Sequence, residues 1–237
     1  MFLRRSGGRP LVIGHRGAAA LAPENTLAGL EAAITSGADI VEFDVVEGLV
    51  LEHPGEVPAK SPPALDEALA LLAAHPIGVH IDLKHAGIEP GVAEAVRRHA
   101  LAERVVVSST SVAALRRLEA VDPGLVRAIS YPHDRHGVAG LPWPRSVVST
   151  AAASLRPAMR VRLPPLLAAA RAQALSVRHE LVGRALVRAT HARGAAVIAW
   201  TVNDPASVGR LAEAEVDAIV SDDPGMVLRV LATLDSP

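Results

Sequence analysis

Short apolar runs alternate with amphipathic segments from one end of the chain to the other, and no other feature limits its fold so strongly. The runs are Leu11–Gly14, Ile40–Val45, Gly78–Leu83, Val105–Ser108, Val126–Ser130, Ala174–Val177, Ala196–Thr201 and Ala218–Val220, and they read as buried strands. Between them, roughly Thr26–Ser36, Leu65–His75, Pro90–His99, Val112–Val121, Pro164–Ala172, Leu181–Arg193, Pro205–Ala214 and Gly225–Leu234 read as helices. Several open on a cap or a first-turn proline, as in Asp204-Pro205 and Asp223-Pro224. Repeated βα units wind around a parallel sheet. Eight of them in 237 residues predict an α/β chain folded as a (β/α)8 barrel, one domain over residues 1–237. The competing doubly wound sheet lacks its hallmark, because no GxGxxG turn follows the first strand. Tyr131 to Pro165, rich in Pro, His and Arg, is expected to be the least regular stretch.

Composition removes several classes of function. Half the residues are hydrophobic but only five are aromatic, so the core must be aliphatic and few platforms exist for stacking bases. With a net charge of −1 and no basic run to track a phosphate backbone, nucleic acid is not an expected partner. Cysteine is absent, which excludes disulfides and thiolate metal sites. The opening MFLRRSGGRP has no apolar segment for a signal peptide, and no window has the 18 uncharged apolar residues of a membrane span. A soluble cytoplasmic protein is expected, of undetermined oligomeric state. Only Lys60 and Lys84 are lysine among 24 basic residues, which singles out Lys84 in the third strand.

Parallel barrels carry their chemistry at the carboxyl ends of the strands. His15 and Arg16 end the first strand; Glu42 and Asp44 share a face of the second; His80, Asp82 and Lys84 alternate on the third. Ser108 and Ser109 end the fourth, His179 follows the sixth, Trp200 and Asn203 close the seventh, and Asp222 follows the eighth. Two buried carboxylates in VEFDV need a counter-charge. A divalent cation held by Glu42, Asp44 and Asp82 would supply it, and an all-oxygen set suits Mg²⁺ or Ca²⁺ better than zinc. Salt bridges from Arg16 or Lys84 are the alternative. His15 and His53 could serve as general base and general acid across a phosphate, with Arg16 and Lys84 on its oxygens. His75 and His99 read as helix-end residues, Glu213, Glu215 and the arginines of Val182–Arg193 as solvated faces, and His133 and His136 of YPHDRHG as a polar loop rather than a metal cluster.

Taken together, GHRGAAALAPENTLAGLEAAITSGADIVEFDV, with PALDEALALL, IDLK, VVVSST, AVIAWTVND and VDAIVSDDP, resembles the glycerophosphodiester phosphodiesterase family. The resemblance covers nearly the whole chain and is weakest over 131–170. It implies a TIM-barrel enzyme that uses a divalent metal, Mg²⁺, Ca²⁺ or Mn²⁺, to cleave a small-molecule glycerophosphodiester into glycerol 3-phosphate and an alcohol. By position it implies His15 and His53 as the acid/base pair, Glu42, Asp44 and Asp82 as metal ligands, and Arg16, Lys84 and Trp200 on the substrate side. A glycerol hydroxyl would attack phosphorus, and water would then open the cyclic phosphate.

Four features depart from the family pattern. Only VVEGLVLE separates Asp44 from His53; Pro54 stands where an Asp normally follows the second histidine; Asp82 replaces the usual Glu; and the usual small insertion has shrunk to GEVPAKSP, residues 55–62. An open pocket with altered alcohol recognition is expected. The rival readings are a non-catalytic phosphate- or phosphodiester-binding descendant and a cyclising phospholipase D-type lyase acting on lysolipids. A TIM-barrel aldolase or isomerase is disfavoured by the opening signature.

Overall fold

The computed structural model describes residue 3 and residues 8–54, 61–132 and 145–234, with backbone alone for 145–153. Eight parallel strands close a barrel in sequence order: β1 Leu11–Gly14, β2 Ile40–Val45, β3 Gly78–Leu83, β4 Val105–Ser109, β5 Val126–Tyr131, β6 Ala174–Arg178, β7 Ala196–Trp200 and β8 Ala218–Ser221. β8 pairs back onto β1, so no strand edge is left open. The helices are α1 Leu27–Thr35, α2 Leu65–Ala73, α3 Glu89–Arg98, α4 Val112–Val121, α5 Arg145–Arg162, α6 Pro164–Ala170, α7 Arg184–His191, α8 Pro205–Glu213 and α9 Pro224–Leu234. Among the described residues no helix is long and apolar enough to cross a membrane.

Period-2 alternation sorts each strand between two environments. Outward residues such as Val41, Phe43, Val79 and Ile81 pack under α1–α4, while Leu175, Val177 and Val197 pack under α5–α9 with Leu186, Leu211 and Val227. Inward residues Ile13, Ile40, Val106, Ala128, Ala174, Ala196, Ile198, Ala218 and Val220 form an apolar plug inside the barrel. Above this plug the interior turns polar. The β2–β3–β4 register sets Asp44 beside Asp82 and Asp82 beside Ser108, with Glu42 beside His80 one step below.

The expected strands are all present; β4, β5, β6 and β8 run one residue further at the carboxyl end, and β7 stops at Trp200 rather than Thr201. The unexpected element is α5, in the stretch read as irregular. Its arginines and internal Pro157 mask the periodicity, yet Met159, Leu163 and Leu167, at four-residue spacing across α5 and α6, are buried. Gly183 ends the turn after β6, so α7 begins at Arg184 rather than Leu181. His99 caps no carbonyl with its ring; its Nε2 meets Asp66 of α2 at 3.0 Å. His133 and His136 lie outside the described residues.

Candidate active site

A cavity of about 670 Å³ opens at the carboxyl ends of the strands, lined by His15, Arg16, Glu42, Asp44, His53, His80, Asp82, Lys84, Ser108, Ser130, Ser176 and Trp200 among others. All eight residues singled out by the resemblance line it. Of the other candidates, His80 and Ser108 line it, whereas Ser109, His179, Asn203 and Asp222 do not; His179 sits in the turn after β6 beside Glu180 and Arg210.

The HRG turn after β1 is held to β2 by backbone bonds. Arg16 N donates to Glu42 Oε2 at 2.8 Å and Gly17 N to Glu42 O at 2.8 Å. Gly17 has φ +89°, and a Cβ there would lie 2.4 Å from the Gly29 backbone, so only glycine lets α1 approach this closely. Arg16 itself has φ +48°, a strained value that the surrounding contacts hold in place. Its guanidinium bridges Glu24 at 2.8 Å and Asp44 at 3.0 Å.

PENT supports this arrangement rather than supplying reactive groups. Thr26 caps α1, accepting from Gly29 N at 3.1 Å. Asn25 clasps Asp44 twice: its Oδ1 accepts from Asp44 N at 3.0 Å and its Nδ2 donates to Asp44 Oδ2 at 3.2 Å. The expectation from spacing left Asn25 and Glu24 without a function, because their contacts depend on how the β1–α1 loop folds back on β2.

The three acids converge. One oxygen from each of Glu42, Asp44 and Asp82 can be chosen so that all lie within 4.8 Å of one another. Glu42 and Asp44 are buried. Lys84 Nζ lies 2.9 Å from Asp44 Oδ1 and 2.5 Å from Asp82 Oδ2, so the salt bridges posed as the alternative to a metal do form. They do not exhaust the negative charge: three carboxylates face two cations, and burial together with the Asp44 charge pushes the Glu42 pKa up to about 7. Such a set is compatible with a divalent cation. Ser108 donates to Asp82 Oδ1 and in turn accepts from His80 Nε2 at 2.8 Å. His80 is buried and its pKa is lowered to about 4, chiefly by burial, so it stays neutral.

His53 reaches the cavity despite the shortened loop. Val46 N bonds Val50 O at 3.1 Å, Val45 and Leu51 form an antiparallel bridge, and Gly48 takes φ +82° at the tip. This tight hairpin reverses the chain and returns His53 over the strand ends. Pro54 lines the cavity beside it. Residues 55–60, most of the shortened insertion, lie outside the described residues. Burial and the Arg16 charge lower the His53 pKa. For His15, burial works the same way but is outweighed by a hydrogen bond to Asp222 and the Glu42 charge, and its pKa is raised. Trp200 forms part of the wall opposite the acids.

The family model for glycerophosphoryl diester phosphodiesterases matches residues 15–47 and 79–226. The chain belongs to that family. As a member it is a phosphodiesterase. The match passes through 131–170 and breaks instead at 48–78, the region that includes the short hairpin, His53 and the shrunken insertion. A glycerophosphodiester phosphodiesterase of Caldanaerobacter subterraneus is 25% identical over 94% of this chain and 98% of its own length. Among solved structures, an Oleispira antarctica phosphodiesterase in complex with the product sn-glycerol-3-phosphate has a TM-score of 0.72 at 22% identity, covering 94% of this chain and 97% of that one. A glycerophosphodiester phosphodiesterase of Parabacteroides distasonis gives a TM-score of 0.75 at 18% identity, covering 97% of this chain and 100% of that one.

Proposed function

We propose that this protein hydrolyses glycerophosphodiesters to glycerol 3-phosphate and an alcohol with a divalent cation held by Glu42, Asp44 and Asp82. The observation that carries the reading is the convergence of His15 and His53, Arg16 and Lys84, and three carboxylates on one cavity. The Oleispira relative, whose structure holds sn-glycerol-3-phosphate, supports the product. The donor set is all oxygen and hard, which favours Mg²⁺ or Ca²⁺, with Mn²⁺ as the third candidate. When bound, such an ion stabilises negative charge on the phosphoryl oxygens.

The chain's own groups divide the remaining work. Arg16 and Lys84 attract and orient the phosphate and balance its charge in the transition state. Trp200 supplies an apolar wall for the substrate carbons. His53, held neutral by burial and by Arg16, takes the proton of the attacking glycerol hydroxyl. His15, whose pKa is raised, gives a proton to the departing alcohol and recovers one from the water that opens the cyclic phosphate. Asp82 is one methylene shorter than the family's usual glutamate, and Ser108 and Lys84 hold it in place.

The test is glycerol 3-phosphate release from glycerophosphocholine and glycerophosphoethanolamine with each of Mg²⁺, Ca²⁺ and Mn²⁺ and with EDTA. Product that requires metal supports the reading. A folded, metal-binding protein that releases none from either diester contradicts it.

A further inference from the structure

Asp222 and Asn203 lie at the ends of β8 and β7, outside the set that the family resemblance assigns. We propose that Asp222, clamped by Asn203, is a positioning residue that keeps the His15 proton on Nδ1 and leaves Nε2 as the one ring atom able to exchange a proton with substrate. The proposal rests on the phosphodiesterase reading for its consequence, though not for its geometry.

His15 Nδ1 lies 2.6 Å from Asp222 Oδ1. The second carboxylate oxygen is occupied as well: Asn203 Nδ2 donates to Asp222 Oδ2 at 2.5 Å. Asn203 Oδ1 returns the contact, accepting from Asp222 N at 3.0 Å and from Ser221 Oγ at 3.1 Å. The carboxylate is therefore fixed in plane and in direction. The backbone is tied on the same side, with His15 N donating to Ser221 O at 2.9 Å and Ala20 N to Asp222 O at 3.0 Å. Residue 15 is thus fastened to β8 through both its main chain and its ring.

An ionised carboxylate can only accept, so Nδ1 must be the donor and must carry a proton. The partner that sets one ring nitrogen fixes the role of the other. When Nε2–H gives its proton to the leaving oxygen, the N–H bonding pair stays on Nε2 and the ring becomes neutral with Nδ1–H still on Asp222. When water later opens the cyclic phosphate, its proton goes to Nε2 and its O–H pair to the new P–O bond, while the ring P–O bond breaks, its pair stays on the glycerol oxygen and that oxygen takes the proton His53 gained in the first step; Asp222 then faces an imidazolium. Without Asp222, the neutral ring could place its proton on Nε2 and its lone pair on Nδ1, pointing away from the phosphate.

The experiment uses full-length protein labelled with ¹⁵N-histidine, and long-range ¹H–¹⁵N spectra recorded where the rings are neutral, with His15→Gln to assign the signal. The wild type is expected to show His15 protonated on Nδ1. Asp222→Asn should move that ring towards the Nε2–H form and lower kcat by about 10²–10⁴-fold with KM little changed, whereas Asp222→Glu should recover part of both readouts. Asn203→Ala should act in the same direction more weakly. A wild-type His15 protonated on Nε2, or an Asp222→Asn protein whose His15 tautomer is unaltered, would overturn the proposal. Should no glycerophosphodiester be turned over, the function fails while the spectra still decide the tautomer.

Discussion

The β1–β3 side of the cavity presents His15, Arg16, Glu42, Asp44, Asp82 and Lys84, whereas among the described residues β5 and β6 present only Ser130 and Ser176 above Ala128 and Ala174. On the first side every carboxylate is held by an opposite charge or a hydrogen-bond donor: Asp44 by Arg16 and Lys84, Asp82 by Lys84 and Ser108, Glu42 by Arg16 N. Each such group is costly alone and tolerable in the set, so the residue types and their spacing are tightly constrained. Ser130 and Ser176 on the second side contribute volume, which any small side chain provides. Among the described residues, one half of the site is therefore specified by chemistry and the other by size.

Removing a partner should hurt most where charges interlock. Asp44→Ala takes a buried carboxylate from both Arg16 and Lys84, leaving them Glu24 and Asp82, and removes the acceptor of Asn25 Nδ2, so it should abolish measurable turnover and destabilise the fold by about 3–5 kcal/mol in urea denaturation. An effect confined to activity would show that the cations relax into solvent and that the set is less interdependent than the contacts suggest.

Next in size is the pH dependence, which separates the two histidines. Activity needs His53 neutral and His15 protonated. His53 is lowered from 6.5, so the acid limb, where it gains a proton, should fall below 6.5; His15 is raised from 6.5, so the alkaline limb should fall above it. The kcat/KM profile should be a bell between these limits, and His15→Ala should remove the alkaline limb from any residual rate. Limbs in the reverse assignment would exchange the two roles.

The smallest effect is expected on the neutral side. Ser176→Val fills space without touching the charged set, and should raise KM about tenfold, equivalent to roughly 1.4 kcal/mol, with kcat nearly unchanged. A large kcat loss there would mean that the serine wall takes part in the chemistry.

What could be read in the sequence follows the same division. GHRG, VEFDV and IDLK interrupt apolar strands with groups that cannot be buried idly, so His15, Arg16, Glu42, Asp44, Asp82 and Lys84 stood out before any fold was known. The barrel followed from strand periodicity. The supporting groups were not legible because their partners are distant in sequence: Asp222 meets His15 across 207 residues, and Asn25 meets Asp44 across 19 through a loop whose path periodicity does not encode. Nor could spacing show that the Val45–Leu51 hairpin would return His53 to the strand ends, because that depends on Gly48 and Leu49 adopting positive φ. The α5 helix escaped notice because Pro157 and its arginines broke up the apolar stripe.

The proposed chemistry depends on the shortened β2–α2 connection delivering a working second histidine to the charged half. The most direct measurement is ³¹P NMR of glycerophosphocholine incubated with metal-loaded wild type, His15→Ala and His53→Ala. Glycerol 3-phosphate is expected from the wild type, with a loss of about 10²–10⁴-fold in each variant. A His53→Ala protein that retains most of the wild-type rate, with His15→Ala inactive, would contradict that dependence and leave His53 a bystander on the cavity wall.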